Sequence, residues 1–217
     1  MPDLLRPSKG EGRVPTVRDL GYIIALFAMV PLLILYLDGS IRTYIVSLDG
    51  RPGIAAARWV SAAGYGLLNA AFAAILMVVG LLMRRPREAT AGRLALFAVI
   101  VGGISVQLLK RLFCRARPFT KVAGQFFAVF PCLGKGSWMI SFPSGHSVTA
   151  FALAYVLSLA YPKGSGVFYL LAGMIALSRV YLASHFPSDV VAGAALGLFA
   201  GWIVCRLAHP QFGDARS

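Results

Sequence analysis

Charged side chains are scarce in this chain: 13% of its 217 residues, against 58% hydrophobic, where a soluble domain carries about 25% charge. A water-soluble fold is excluded on that count. Acidic residues are scarcer still, with 8 Asp plus Glu against 21 Lys plus Arg and a formal net charge of +13. Such an excess suits a nucleic-acid binder when it is gathered on one polar face. Here the basic residues instead punctuate long uncharged stretches, as loop charges of a membrane protein do, so no nucleic-acid partner is expected. The 3 cysteines include no Cys-x-x-Cys pair, which excludes a zinc ribbon and a thioredoxin-type site. Repeats, low-complexity runs and linkers are absent too, and residues 1–217 read as a single domain.

What is present is apolar. Between Asp19 and Asp38 lie 18 uncharged residues, and residues 59–83 carry no charge before Arg84 and Arg85 stop them. At about 1.5 Å per residue, helices of these lengths approach or cross a hydrocarbon core of about 30 Å. The first follows a polar segment and precedes no small-residue cleavage signal, so it reads as a retained anchor. Shorter apolar stretches follow, each abutting charged or histidine-bearing residues. The expected spans are 20–37, 59–83, 94–113, 146–162, 165–183 and 189–206. The fold class is all-α: a multi-pass bundle of six transmembrane helices with short extramembrane helices. In the loop 38–58, Ile41, Tyr44, Ile45 and Leu48 share one helical face, to lie flat on the membrane surface or to pack on the bundle. Gly193, Gly197 and Gly201 form a small-residue stripe, read as close helix packing within a monomer in preference to a dimer seam.

Three clusters carry chemistry. In Lys110–Pro118, KRLFCRARP, Lys110 and Arg117 are seven residues apart, about two helical turns, so both would point from one face toward one anion. A basic segment touching lipid headgroups is the plain alternative. In Pro143-Ser144-Gly145-His146, Ser144 suits a helix cap, Gly145 admits a close ligand, and the first N–H groups of a helix suit an oxyanion. His146 would then stand at the site's edge as a proton donor, or be an interface histidine with no task. In Ser178–Asp189, SRVYLASHFPSD, Arg179 supplies a guanidinium, His185 a nucleophile or base, and Asp189 a carboxylate to orient an imidazole. Asp189 is the only acidic residue between Glu88 and Asp214, and charged groups at membrane depth are costly to keep without a use.

Together these segments resemble the signature of the type 2 phosphatidic acid phosphatases, integral membrane lipid phosphate phosphatases: Lys, six residues, Arg-Pro; Pro-Ser-Gly-His; Ser-Arg, five residues, His, three residues, Asp. All three parts occur in order between Lys110 and Asp189. The resemblance implies that Lys110, Arg117 and Arg179 hold the phosphoryl oxygens and that Ser144 and Gly145 add hydrogen bonds. It implies that His185 attacks phosphorus to give a phosphohistidine, Asp189 orients His185, and His146 protonates the leaving oxygen. It implies no cofactor and no metal, and the sequence offers no carboxylate cluster for Mg²⁺. A lipid phosphotransferase with the same intermediate, or a non-catalytic transporter or binder of phosphorylated lipids, remains the alternative. The vanadium-dependent haloperoxidases resemble the same phosphate motif, but six apolar spans argue against that architecture.

The expected partners are a phosphorylated lipid and the bilayer, with a monomer favoured. Phosphatidate, phosphatidylglycerol phosphate, a polyprenyl diphosphate and a lipid A type substrate all present a suitable phosphate. Arg111, Arg115, Lys121 and Lys135 would favour a diphosphate or simply attract the anionic membrane surface. With Lys110, Arg117 and Arg179 set aside as phosphate ligands, the positive-inside rule places both termini in the cytoplasm. The site then faces the periplasm from a bacterial cytoplasmic (inner) membrane. On that side Cys114 and Cys132, separated by seventeen residues, form a disulfide over the site entrance or stand as two unrelated thiols.

Overall fold

The computed structural model describes residues 14–48, 52–126 and 136–208; Cys132, Lys135 and most of the charged terminal tails lie outside them. The described chain is all-helical: α1 Val17–Tyr36, α2 Asp38–Ser47, α3 Ile54–Ala62, α4 Gly66–Leu82, α5 Pro86–Phe113, α6 Gly145–Ala160, α7 Ser165–Tyr181 and α8 Pro187–Ala208. Four helices are long and apolar enough to cross a membrane: Val17–Tyr36, Pro86–Phe113, Pro162–Tyr181 and Pro187–Ala208. The pair Ile54–Ala62 and Gly66–Leu82, bent by 49°, makes a fifth if counted as one span. The fourth expected span, 146–162, is α6, which is apolar but has only 16 residues. The protein is a multi-pass integral membrane helical bundle with four to five candidate spans by length among the described residues.

α6 is the axis, packed against α5, α7 and α8. The glycine stripe of α8 makes that possible: a Cβ at Gly193 would meet the Ser144 carbonyl oxygen, at Gly197 that of Val148, and at Gly201 the Tyr155 ring. The stripe is thus spent on an intramolecular contact, as expected. α4 and α5 form an equally close hairpin, with Gly80 against the Ala89 backbone and Gly92 against that of Met77.

Two expected boundaries are corrected. Residues 84–93 are not a loop, because Pro86 and Glu88 start α5 there, a proline at the first position and an acid in the first turn both favouring a helix N-terminus. Arg87 lies in that first turn and donates from Nε to the Ala160 carbonyl at 2.9 Å, closing the C-terminus of α6. The stretch 59–83 is not one helix: it breaks at 63–65, where a Cβ at Gly64 would strike Ile175 Cγ2. The Thr149 hydroxyl donates to the Gly64 carbonyl at 3.0 Å, satisfying a group that the break frees. Of the two placements open to the 38–58 segment, α2 takes packing on the bundle, with Ile45 buried and Tyr44 exposed.

Candidate active site

One end of the bundle collects the C-termini of α5 and α7 with the N-termini of α6 and α8, and all the expected site residues meet there. α5 ends at Phe113, and Cys114 takes a left-handed conformation (φ 45°). Lys110 and Arg117 therefore do not share a helical face. Arg117 arrives instead on a chain reversal, with its N–H on the Trp138 carbonyl at 2.8 Å. The two cations converge nonetheless: the charges of Arg117 and Arg179 both reach Lys110, and all three reach His146. Lys110 is buried, with Nζ donating to the Ile140 carbonyl at 2.9 Å. Arg179 is held by Ser61 Oγ at 2.6 Å, and its own carbonyl receives the N–H groups of Ser184 and His185 at 3.0 and 3.2 Å. Those bonds fold the 182–186 loop back over α7.

Ser144 takes the N-cap position of α6 but makes no side-chain capping bond; its hydroxyl is fully buried without a partner. Gly145 opens the helix, whose first N–H groups have no intrahelical acceptor. The His146 ring lies 4.8 Å from that of Tyr65, tilted by 54°. His185 Nδ1 stands 3.4 Å from Asp189 Oδ2, close enough for charge attraction but without hydrogen-bond alignment. Burial pushes the His185 imidazole down to about 4 from its ordinary 6.5, and the Asp189 carboxylate offsets this only in part. The ring is neutral at physiological pH, with Nε2 the nitrogen turned away from the carboxylate.

Asp189 is itself held on three sides. Oδ2 accepts from Ser141 Oγ at 2.5 Å and from the Phe186 N–H at 2.9 Å, and Oδ1 accepts from Arg115 at 2.6 Å. Arg115, expected to face substrate or membrane surface, is 1% exposed and turned inward. Its other terminal nitrogen pairs with Asp38 at 2.6 Å, and Ser188 donates through its hydroxyl and, at 3.0 Å, its N–H to the same carboxylate. Asp38, Ser141, Ser188, Ser61 and Tyr65 were not anticipated. Asp38, a carboxylate at the end of a span in a chain poor in acids, carries the one sequence signal among them. Cys114 is disulfide-bonded and Cys205 free.

Among the described residues, the buried side-chain nitrogens and oxygens without a hydrogen-bond partner are Arg115 Nε, Arg117 Nε, Ser144 Oγ, His146 Nε2, Ser147 Oγ, Arg179 Nε and His185 Nδ1. All lie at this end of the bundle. Buried polar atoms are normally paired, so their concentration in one place, beside three cations, sets this end of the bundle apart, and an oxyanion would suit it.

Known proteins place the arrangement. Lipid A 1-phosphatase of Rhizobium johnstonii is 37% identical over 106 residues, 49% of this chain but 43% of the relative, so the chain matches under half the length of that protein. Decaprenylphosphoryl-5-phosphoribose phosphatase of Mycobacterium tuberculosis is 35% identical over 159 residues, 73% of this chain and 82% of the relative. The crystal structure of the transmembrane PAP2 type phosphatidylglycerolphosphate phosphatase from Bacillus subtilis shares the fold, with a TM-score of 0.60 at 24% identity over 88% of this chain and 98% of that one. The model of the PAP2 superfamily matches residues 91–212, a range that holds all three motifs, helices α6 to α8 and most of α5, and on these grounds the chain belongs to that superfamily.

Proposed function

We propose that the protein is a membrane lipid phosphatase that removes a phosphate monoester or diphosphate from a lipid through a phosphohistidine on His185, without a metal. The observation that carries this is the gathering of unpaired buried donors and three cations around two histidines, one of them backed by a carboxylate. The relatives' names, lipid A 1-phosphatase and decaprenylphosphoryl-5-phosphoribose phosphatase, support a phosphate on a lipid as the shared substrate element.

His185 keeps its proton on Nδ1, facing Asp189. The Nε2 lone pair forms the N–P bond, the P–O bond to the lipid breaks, and the departing oxygen takes its proton from His146, which is protonated once the bound phosphate dianion offsets the three cations beside it. Lys110, Arg117 and Arg179, with Ser144 Oγ and the Gly145 N–H, neutralise the equatorial oxygens. The phosphoimidazolium retains Nδ1–H against Asp189. His146, now neutral, takes a proton from water; the hydroxide attacks phosphorus, and the N–P electron pair returns to Nε2.

The same reading takes the bent α3–α4 pair and the short α6 as the fifth and sixth spans. Six crossings place both termini on one side, and the distribution of basic residues supports the cytoplasmic side, with the site at the outer face. The test is phosphate release by the purified protein from a panel of lipid phosphates in detergent. Release should persist in EDTA, be inhibited by orthovanadate, and proceed through an acid-labile, base-stable phosphoprotein. Loss in EDTA with recovery in Mg²⁺ would overturn the metal-free mechanism.

A further inference from the structure

Arg115 sits within the first motif but cannot reach a phosphate. Its guanidinium is enclosed between the Phe186 and Phe126 rings at 4.2 and 4.9 Å, and both terminal nitrogens are taken. One donates to Asp189 Oδ1 at 2.6 Å and Ser188 Oγ at 2.7 Å, the other to Asp38 Oδ2 at 2.6 Å. One buried cation thus serves two buried carboxylates, one of which faces the nucleophile. Arg42, one turn after Asp38 on α2, donates from Nε to the Pro118 carbonyl at 2.8 Å, so α2 grips the motif segment at two points.

We propose that Arg115 and Asp38 are positioning residues for the nucleophile: Arg115 fixes Asp189 beside His185, and Asp38, by sharing Arg115, leaves Asp189 enough negative charge to hold the Nδ1 proton of the phosphoimidazolium. This rests on His185 being the nucleophile. One cation against two carboxylates leaves a single net negative charge behind the imidazole. That is the complement of the positive charge the ring acquires when Nε2 bonds phosphorus. A lone Asp189–Arg115 pair would be neutral and would support the phosphorylated ring less. The other charged groups whose fields reach His185 are Lys110 from α5 and Arg117 after it; His146 from α6 couples to His185 and to Arg179 from α7, and the variants below leave all four in place.

The experiment is the pre-steady-state burst from p-nitrophenyl phosphate in detergent as a function of pH, with inhibition by inorganic phosphate reporting the cation pocket. Asp38→Asn should lower the plateau burst rate about tenfold or more, a pKa-unit-scale electrostatic loss. Its acid limb should not rise, and phosphate inhibition should change less than about threefold, well under one such unit. Arg115→Gln should raise the acid limb by about 1–3 units, since two carboxylates then face the imidazole without a cation. Adding Asp38→Asn to it should bring the limb back down. A purely structural role predicts the reverse: Asp38→Asn opens the site, the limb rises toward the ordinary histidine value, and the double variant is no better than Arg115→Gln. That result, an unchanged burst in Asp38→Asn, or weakened phosphate inhibition overturns the proposal. Should Arg115→Gln fail to fold, Asp38→Asn decides alone. A burst retained in His185→Ala would instead refute the nucleophile assignment, a separate outcome.

Discussion

The two ends of the bundle treat buried polar groups in opposite ways. At the end away from the site, Thr16 and Asp19 cap α1 reciprocally at 2.8 and 3.2 Å. The Tyr155 hydroxyl donates to Asp19 at 3.3 Å and the Trp202 indole to the Thr16 carbonyl at 3.1 Å. Arg87 donates to the last carbonyl of α6 and lies 4.7 Å over the Tyr161 ring. Those polar groups tie helices together. At the site end the network of Asp38, Arg115, Ser141 and Ser188 is bonded as closely except at Arg115 Nε, whereas Arg117, Ser144, His146, Ser147, Arg179 and His185 keep unpaired atoms. Bonded and unpaired groups are thus largely separated in space; under the proposed function the first set holds the frame and the second meets substrate.

If that division is correct, substitutions at the two ends should fail differently. The largest effect belongs to His185→Ala, which should abolish the phosphoenzyme burst on every substrate. His146→Ala should lose on the order of 10²- to 10⁴-fold on an alkyl phosphate, the usual contribution of a general acid, and much less of the nitrophenolate burst, because that leaving group needs no proton. Equal losses on both substrates would mean that His146 binds phosphate and donates nothing. Next comes pH. His185 is an effective nucleophile only when neutral, and its value near 4 means the ring stays deprotonated as pH falls well past 6.5. The acid limb of kcat/KM for the aryl phosphate should accordingly lie near 4; a limb at 6.5 would show that the ring is solvated. The smallest effect should come from the far end. Asp19→Ala should lower the midpoint of thermal unfolding by an amount corresponding to about 1 kcal/mol, the cost of a lost cap, with kcat unchanged.

The membership of the candidate site was largely legible in the sequence and its support was not. Lys110, Arg117, His146, Arg179, His185 and Asp189 stand out because the expected chemistry would demand particular residue types at particular spacings, and the structure brings them to one end of the bundle. The glycine stripe was legible too, since a four-residue period has one geometric meaning. Asp38 and Arg115 were not, because their pairing joins residues 77 positions apart and no local pattern encodes it. The break at 63–65 was hidden in the same way: its causes, Ile175 and Thr149, sit on α7 and α6. Arg117 is the instructive error, where helical spacing gave the right convergence for the wrong reason.

The shortness of α6 has a consequence for kinetics. Under the proposed function α6 is a span; with its C-terminus at the opposite interface, its sixteen residues, rising about 24 Å against a hydrocarbon core of about 30 Å, would leave Ser144 and His146 short of the outer headgroups. A lipid phosphate can meet them while its acyl chains stay in the leaflet, and the product rejoins the same two-dimensional pool. Under the proposed function, the quantity that sets the rate is then the mole fraction of substrate in the surrounding lipid. Diluting a mixed micelle with neutral detergent at constant total substrate should slow turnover, while diluting the whole suspension with buffer should not.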